Sequence, residues 1–132
     1  MRYSLELEDK PGYLHARVTG VNSREAVIEY THDIHKACVE RGFRAVLIEE
    51  NLSGPSIDLS SIFQVATDRS RQAVGVLNWI AYVDVNEEHD RSRMEFAEGV
   101  AVRRGANMRL FASVADAERW LKAELAGAGA EP

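Results

Sequence analysis

Cysteine, proline and clustered basic residues are scarce in this chain, and each scarcity excludes a class of protein. Cys38 is the only cysteine among the 132 residues, so no intramolecular disulfide can form. A single thiol fits a reducing compartment. The chain has 16 Lys and Arg against 21 Asp and Glu, a net charge of −5. This balance disfavours binding to nucleic acid or to anionic membranes.

Long apolar runs are also absent from the sequence. None approaches the ~20 residues that a membrane-spanning helix needs. The first residues are charged and alternating, so they predict a strand and no signal peptide. We therefore expect a cytoplasmic protein with no membrane and no nucleic-acid partner.

The composition is that of an ordinary globular domain. Apolar residues make up 45% and charged residues 28% of the chain, which is enough for one compact core without a metal or disulfide. We predict one domain over residues 1–125. The Ala- and Gly-rich residues 126–132 are predicted to be a disordered C-terminal tail.

Hydrophobic periodicity predicts an α/β fold. Residues 3–8 and 13–19 alternate around the turn pair Pro11-Gly12, which indicates an antiparallel hairpin. Three further apolar strands (44–49, 79–83 and 107–111) alternate with amphipathic helices, of which the last begins at a capping box of Ser113 and Asp116. Asn22 and Asn86 are predicted to cap the first and third helices, and Gly42 to end the first. The predicted order, β-β-α-β-α-β-α-β-α, gives a five-stranded mixed β-sheet with four α-helices.

This order, with three stretches of sequence, resembles the SpoIIAA-like (STAS) fold. The run Ala45-Val-Leu-Ile-Glu49 looks like its central strand. The segment Ile57-Asp-Leu-Ser-Ser61 stands where anti-sigma-factor antagonists have an Ile-Asp-Ser-Ser-Gly motif at a helix start. Residues 104–111 and 116–121 look like the final strand and helix. The resemblance implies a member of the uncharacterised, single-domain SpoIIAA-like branch.

The antagonists are regulated by phosphorylation of the serine directly after the motif's aspartate. Asp58 matches that aspartate, but Leu59 stands at the phosphoacceptor position, Ser60 matches the second serine and Ser61 replaces the glycine. Helix N-capping is the simpler interpretation of these polar residues. We predict that the surrounding loop is regulatory or binds a partner; its residues are Asn51, Ser53, Asp58, Ser60 and Ser61.

The first helix has an apolar arc wider than contact with one sheet requires. The flank of this helix carries Ile28, His32, His35 and Val39, and we predict that it contacts a protein partner or a second copy of the chain as a homodimer. The two histidines are three residues apart, but no companion ligands complete a zinc site. His89 falls in a charged helix start.

The carboxyl ends of parallel strands are where ligands bind in open α/β sheets. Glu49, Glu50, Asp58 and Asp84 could supply oxygen ligands to Mg²⁺ there, but strand-end solvation and capping explain them more simply. No metal and no cofactor are therefore predicted. No nucleophile–base pair is apparent, and Cys38 lies on a core stripe as an inert thiol. We predict a non-enzymatic protein that acts in regulation through protein–protein interaction or self-association; the alternative is a binding module for a small apolar or anionic ligand.

Overall fold

The computed structural model describes residues 3–130, and their elements follow the predicted order. The strands are β1 (Tyr3–Lys10), β2 (Tyr13–Val21), β3 (Ala45–Ser53), β4 (Trp79–Asp84) and β5 (Met108–Leu110). The helices are α1 (Arg24–Arg41), α2 (Leu59–Ala73), α3 (Arg91–Arg103) and α4 (Val114–Ala130). The prediction of an α/β protein with a five-stranded mixed sheet and four helices is confirmed for this part of the chain.

The strands lie side by side in chain order. β1 and β2 form the antiparallel hairpin, and β2, β3, β4 and β5 are parallel to one another. A crossover between parallel neighbours packs back onto the sheet in one hand, so α1, α2 and α3 share one face. There Tyr30 and Ile34 of α1 pack against strand residues such as Val46. α4 covers the other face, where Leu121 packs with Leu47.

Alternation along β3 decides which side chains enter each layer. Successive strand residues point to opposite faces. Val46 and Ile48 therefore belong to the α1 side of the sheet, and Leu47 belongs to the α4 side. The same alternation carries Glu50 into the layer below α1, although it is an acidic residue that follows the apolar run 45–48.

The predicted first cap is wrong by one residue. Ser23 is the N-cap of α1 and accepts from the backbone N–H of Ala26. The Asn22 amide instead donates to the Pro55 carbonyl at 2.9 Å, so it ties two loops together. Gly42 ends α1 with a φ of 76°, as expected.

The third helix also begins later than predicted. Asp90 caps α3, whereas Asn86 belongs to the turn before it. The Ser113 half of the predicted capping box is confirmed, since Ser113 Oγ accepts from the backbone N–H of Asp116 at 3.1 Å, whereas the Asp116 carboxylate accepts from Arg119 at 2.8 Å.

α4 extends to Ala130, and disorder of the tail that begins at residue 126 stays a prediction. Alanine is the best helix former, and its share of this segment offsets the cost of its glycines. Glu131 and Pro132, the end of that predicted tail, lie outside the described residues. Among residues 3–130, no helix has the length and apolar character to cross a membrane.

Candidate functional site

A buried carboxyl group lies in the C-terminal half of β3, which ends at Ser53. Glu50 is 3% exposed, because the alternation of the strand turns it toward the helices. The hydroxyl of Tyr30, on α1, donates to Glu50 Oε2, and the Tyr82 hydroxyl of β4 donates to Met94 Sδ at 3.7 Å. Burial raises the pKa of Glu50 from its ordinary value of 4.5 to about 7. A neutral carboxylic acid in this position can donate a hydrogen bond as well as accept one.

A buried aspartate–histidine pair lies beside Glu50, at the end of β4. His89 Nδ1 is 2.6 Å from Asp84 Oδ2, and the two side chains are only 2% and 5% exposed. The other ring nitrogen, Nε2, is 3.0 Å from the carbonyl oxygen of Gly54. Both ring nitrogens of His89 therefore face oxygen acceptors.

The turn between β4 and α3 holds His89 inward. The backbone N–H of Asn86 donates to Asp84 Oδ1 at 3.0 Å, and Asn86 Oδ1 accepts from the N–H of Glu88. The Asn86 amide also donates to the Leu52 carbonyl at 2.7 Å, which links the turn to the end of β3. These local bonds are typical of Asx turns.

The three ionisable groups meet at the carboxyl ends of adjacent strands. One ligand atom each from Glu50, Asp84 and His89 lies within 4.8 Å of the others. Parallel strands β3 and β4 bring the two carboxylates together through the register pair Glu50–Asp84. The location agrees with the general position of sites in open α/β sheets.

A cavity of about 150 Å³ lies between the helix layer and the sheet, with the Glu50 carboxyl group in its wall. Most of its lining is apolar and comes from α1, β3, α2, β4, α3 and β5. Representative side chains are Ile48, Ile62, Val65, Ile80, Met94 and Ala97. Tyr30 and Tyr82 line it beside Glu50, and polar side chains such as His35 and Arg69 line it elsewhere.

The loop residues predicted to be regulatory are largely occupied by structural hydrogen bonds. Asp58 is the N-cap of α2 and accepts from Ser61 N at 3.2 Å and Ser61 Oγ at 2.7 Å. Ser53 Oγ donates to the Gly20 carbonyl, whereas Asn51 and Ser60 are exposed. The capping interpretation of Asp58 is confirmed, and phosphorylation or partner binding at this loop stays a prediction.

The predicted interface on α1 is mixed in exposure. Val39 is 57% exposed and His32 is also exposed, whereas Ile28 and His35 are half-buried. His35 lines the cavity, and burial lowers its pKa. Contact of this flank with a partner or a second copy of the chain stays a prediction.

The fold brings together only some of the four carboxylates that were considered as magnesium ligands. Of the four carboxylates considered as magnesium ligands, Glu50 and Asp84 lie together. Glu49 points to the opposite face of the sheet and pairs with His15 at 2.9 Å, while Asp58 caps α2. Cys38 is fully buried, and burial raises its thiol pKa to about 12, as an inert thiol requires.

His89 was missed because its neighbours in sequence are charged, which is typical of an exposed helix start. The alternation of β3 contained a usable signal for Glu50, since it puts Glu50 on the same face as Val46 and Ile48. The histidine had no comparable signal, because only the fold of its turn directs it inward.

The fold and its site define an α/β protein with a buried ionisable cluster at one end of an apolar cavity. No protein-family model matches the chain, and no curated protein matches its sequence.

Proposed function

We propose that this protein is a non-enzymatic binding module for a small apolar molecule that carries one hydrogen-bonding group. The observation that carries the proposal is the 150 Å³ cavity with an apolar wall and the Glu50 carboxyl group in it. The apolar lining would take up the body of the ligand through the hydrophobic effect. The polar groups would orient it, as is general for small-molecule sites.

The cavity volume limits the size of the ligand. An engineered apolar cavity of about 150 Å³ in another protein binds benzene, so a ligand of roughly one six-membered ring is expected here. Glu50 and Arg69 both line the cavity, and the Arg69 guanidinium is paired with Asp68 at 2.6 Å. An anion would therefore face the Glu50 carboxyl group in a region of low dielectric constant, where the arginine charge is already compensated. Of the two ligand classes considered from the sequence, an apolar molecule is therefore favoured over an anion.

The order and pairing of the strands also support a more specific assignment than an α/β fold. We propose a SpoIIAA-like (STAS) fold, supported by the hairpin followed by helix–strand units in a mixed five-stranded sheet. Members of one fold carry unrelated functions, so the fold assignment does not bear on the choice of ligand.

Three probes that share one ring test the proposed ligand class: benzene, phenol and benzoate. We expect phenol to raise the thermal midpoint of unfolding with increasing concentration, because ligands that bind only the folded state stabilise it. Benzene should bind more weakly than phenol because it lacks the hydroxyl group, and benzoate should not bind.

Two matched alanine-to-leucine variants locate the binding. Ala97 lines the cavity on α3, so Ala97→Leu should fill it and abolish the shift produced by phenol. Ala123 is exposed on α4, which packs on the opposite face of the sheet, and Ala123→Leu should respond like the unmodified protein. No shift with phenol or benzene, or an equal shift in both variants, would contradict the proposal.

A further inference from the structure

The hydrogen bonds of His89 constrain where its ring protons lie. Nε2 is 3.0 Å from the Gly54 carbonyl oxygen, which can only accept, so Nε2 carries a proton. The Asn86 amide nitrogen lies farther from Nε2, at 3.3 Å, and one of its two N–H groups donates to the Leu52 carbonyl at 2.7 Å. In the neutral ring, Nδ1 is then left with its lone pair.

This lone pair faces another acceptor. Nδ1 is 2.6 Å from Asp84 Oδ2, with both side chains almost fully buried. A lone pair and a carboxylate oxygen repel one another at this distance unless a proton or a metal ion lies between them. A proton there is held either by the His89 ring or by the Asp84 carboxyl group.

The carboxyl group of Glu50 lies close to the contact between His89 and Asp84. Its carboxyl group belongs to the set of three whose ligand atoms lie within 4.8 Å of one another. When Glu50 is ionised, as a metal ligand must be, two carboxylates and one neutral imidazole carry a charge of −2 in total, which a divalent cation neutralises. A buried charge is costly unless it is compensated in this way.

We propose that Glu50, Asp84 and His89 bind one divalent transition-metal ion, with Zn²⁺ as the fitting test ion. A mixed nitrogen and oxygen ligand set suits Zn²⁺, whereas Mg²⁺ prefers oxygen ligands and keeps several waters. Two bonds of about 2.0 Å at a tetrahedral angle place their donor atoms about 3.3 Å apart. The His89 ring therefore needs to move from Asp84 by less than about 1 Å.

The hydrogen bonds around the three residues resemble those that hold the ligands of known metal sites in position. Metal-binding histidines usually donate their other ring N–H to a carbonyl or carboxylate, which fixes the ring; here the acceptor is Gly54 O. The Tyr30 hydroxyl similarly bonds to Glu50. Three protein ligands leave a fourth position for water or an added ligand, and one of the three, Glu50, lines the cavity. Metal binding does not depend on an apolar ligand, so the two can be tested separately.

Isothermal titration of tag-free protein, first stripped with EDTA and then transferred to chelator-free buffer, tests the site with ZnCl₂ and, in parallel, with MgCl₂. We expect one Zn²⁺ per chain and at least tenfold weaker binding of Mg²⁺. His89→Gln and Glu50→Gln should each weaken Zn²⁺ binding at least tenfold. His32→Gln, at an exposed histidine of α1, is the matched control and should bind like the unmodified protein.

A measurement on the unmodified protein covers the case in which the variants do not fold. In imidazole NMR spectra, Zn²⁺ should shift the ring resonances of His89 in a one-to-one titration and leave those of His32 unchanged. The absence of stoichiometric Zn²⁺ binding would overturn the proposal, as would unchanged affinity in folded His89→Gln. Either result would identify the group between Nδ1 and Asp84 as a proton.

Discussion

Replacement of Glu50 by glutamine should change how the stability of the metal-free protein depends on pH. Burial raises the pKa of this carboxyl group from 4.5 to about 7 in the folded protein. The unfolded chain therefore releases the proton at lower pH than the folded chain does. The stability associated with neutral Glu50 is complete below pH 4.5 and is lost as the pH rises through about 7.

The difference between the two pKa values of Glu50, about 7 in the folded protein and 4.5 ordinarily, sets the size of the effect. Each unit of pKa difference corresponds to about 1.4 kcal/mol. The free energy of unfolding should then fall by at most about 3 kcal/mol across this pH range because of Glu50 alone. Glutamine has nearly the same shape, still accepts from the Tyr30 hydroxyl and never ionises. Glu50→Gln should accordingly be close to the unmodified protein at pH 4.5 and more stable than it at pH 8.

Urea denaturation in EDTA at several pH values measures this difference. Asp84 and His89 remain in both proteins, so most of their own contribution cancels in the comparison. Glu124→Gln, at an exposed position on α4, is the matched control and should follow the unmodified protein at every pH. The reasoning is refuted if the difference between Glu50→Gln and the unmodified protein does not grow between pH 4.5 and pH 8.

Two further predictions concern turns and caps. Gly12→Ala should lower the free energy of unfolding by about 1 kcal/mol or more, because Gly12 has a φ of 86° and an added Cβ would lie 3.0 Å from Leu125 Cδ1. Gly127→Ala, with open space around it on α4, should raise the free energy of unfolding by up to about 1 kcal/mol. If urea denaturation gives changes of the same sign for the two variants, these predictions are wrong. Asp58→Ala should destabilise by about 0.5–2 kcal/mol through loss of the α2 cap, whereas Ser60→Ala should stay within about 0.5 kcal/mol. If thermal denaturation shows the same loss of stability for Asp58→Ala and Ser60→Ala, the Asp58 cap does not stabilise α2 as predicted.

Periodicity predicted the elements because burial acts on whole faces. The alternation of residues 3–8 and 13–19 identified the hairpin, and the apolar run from Ala45 identified β3. The sequence predicted the cap positions less accurately than the elements, since the choice between neighbouring residues as N-cap depends on contacts outside the helix. Ser23 caps α1 in place of Asn22, because the Asn22 side-chain amide instead donates a hydrogen bond to the carbonyl of Pro55.

The sequence alone determined the layered α/β arrangement, because each strand and helix carries its own apolar pattern and its own end signals. Only the tertiary structure decided that Glu50, Asp84 and His89 share one buried point. Their proximity requires the parallel register of β3 with β4 and the inward fold of the turn at Asn86. Contacts of this kind form between segments distant in the chain, and no local periodicity encodes them.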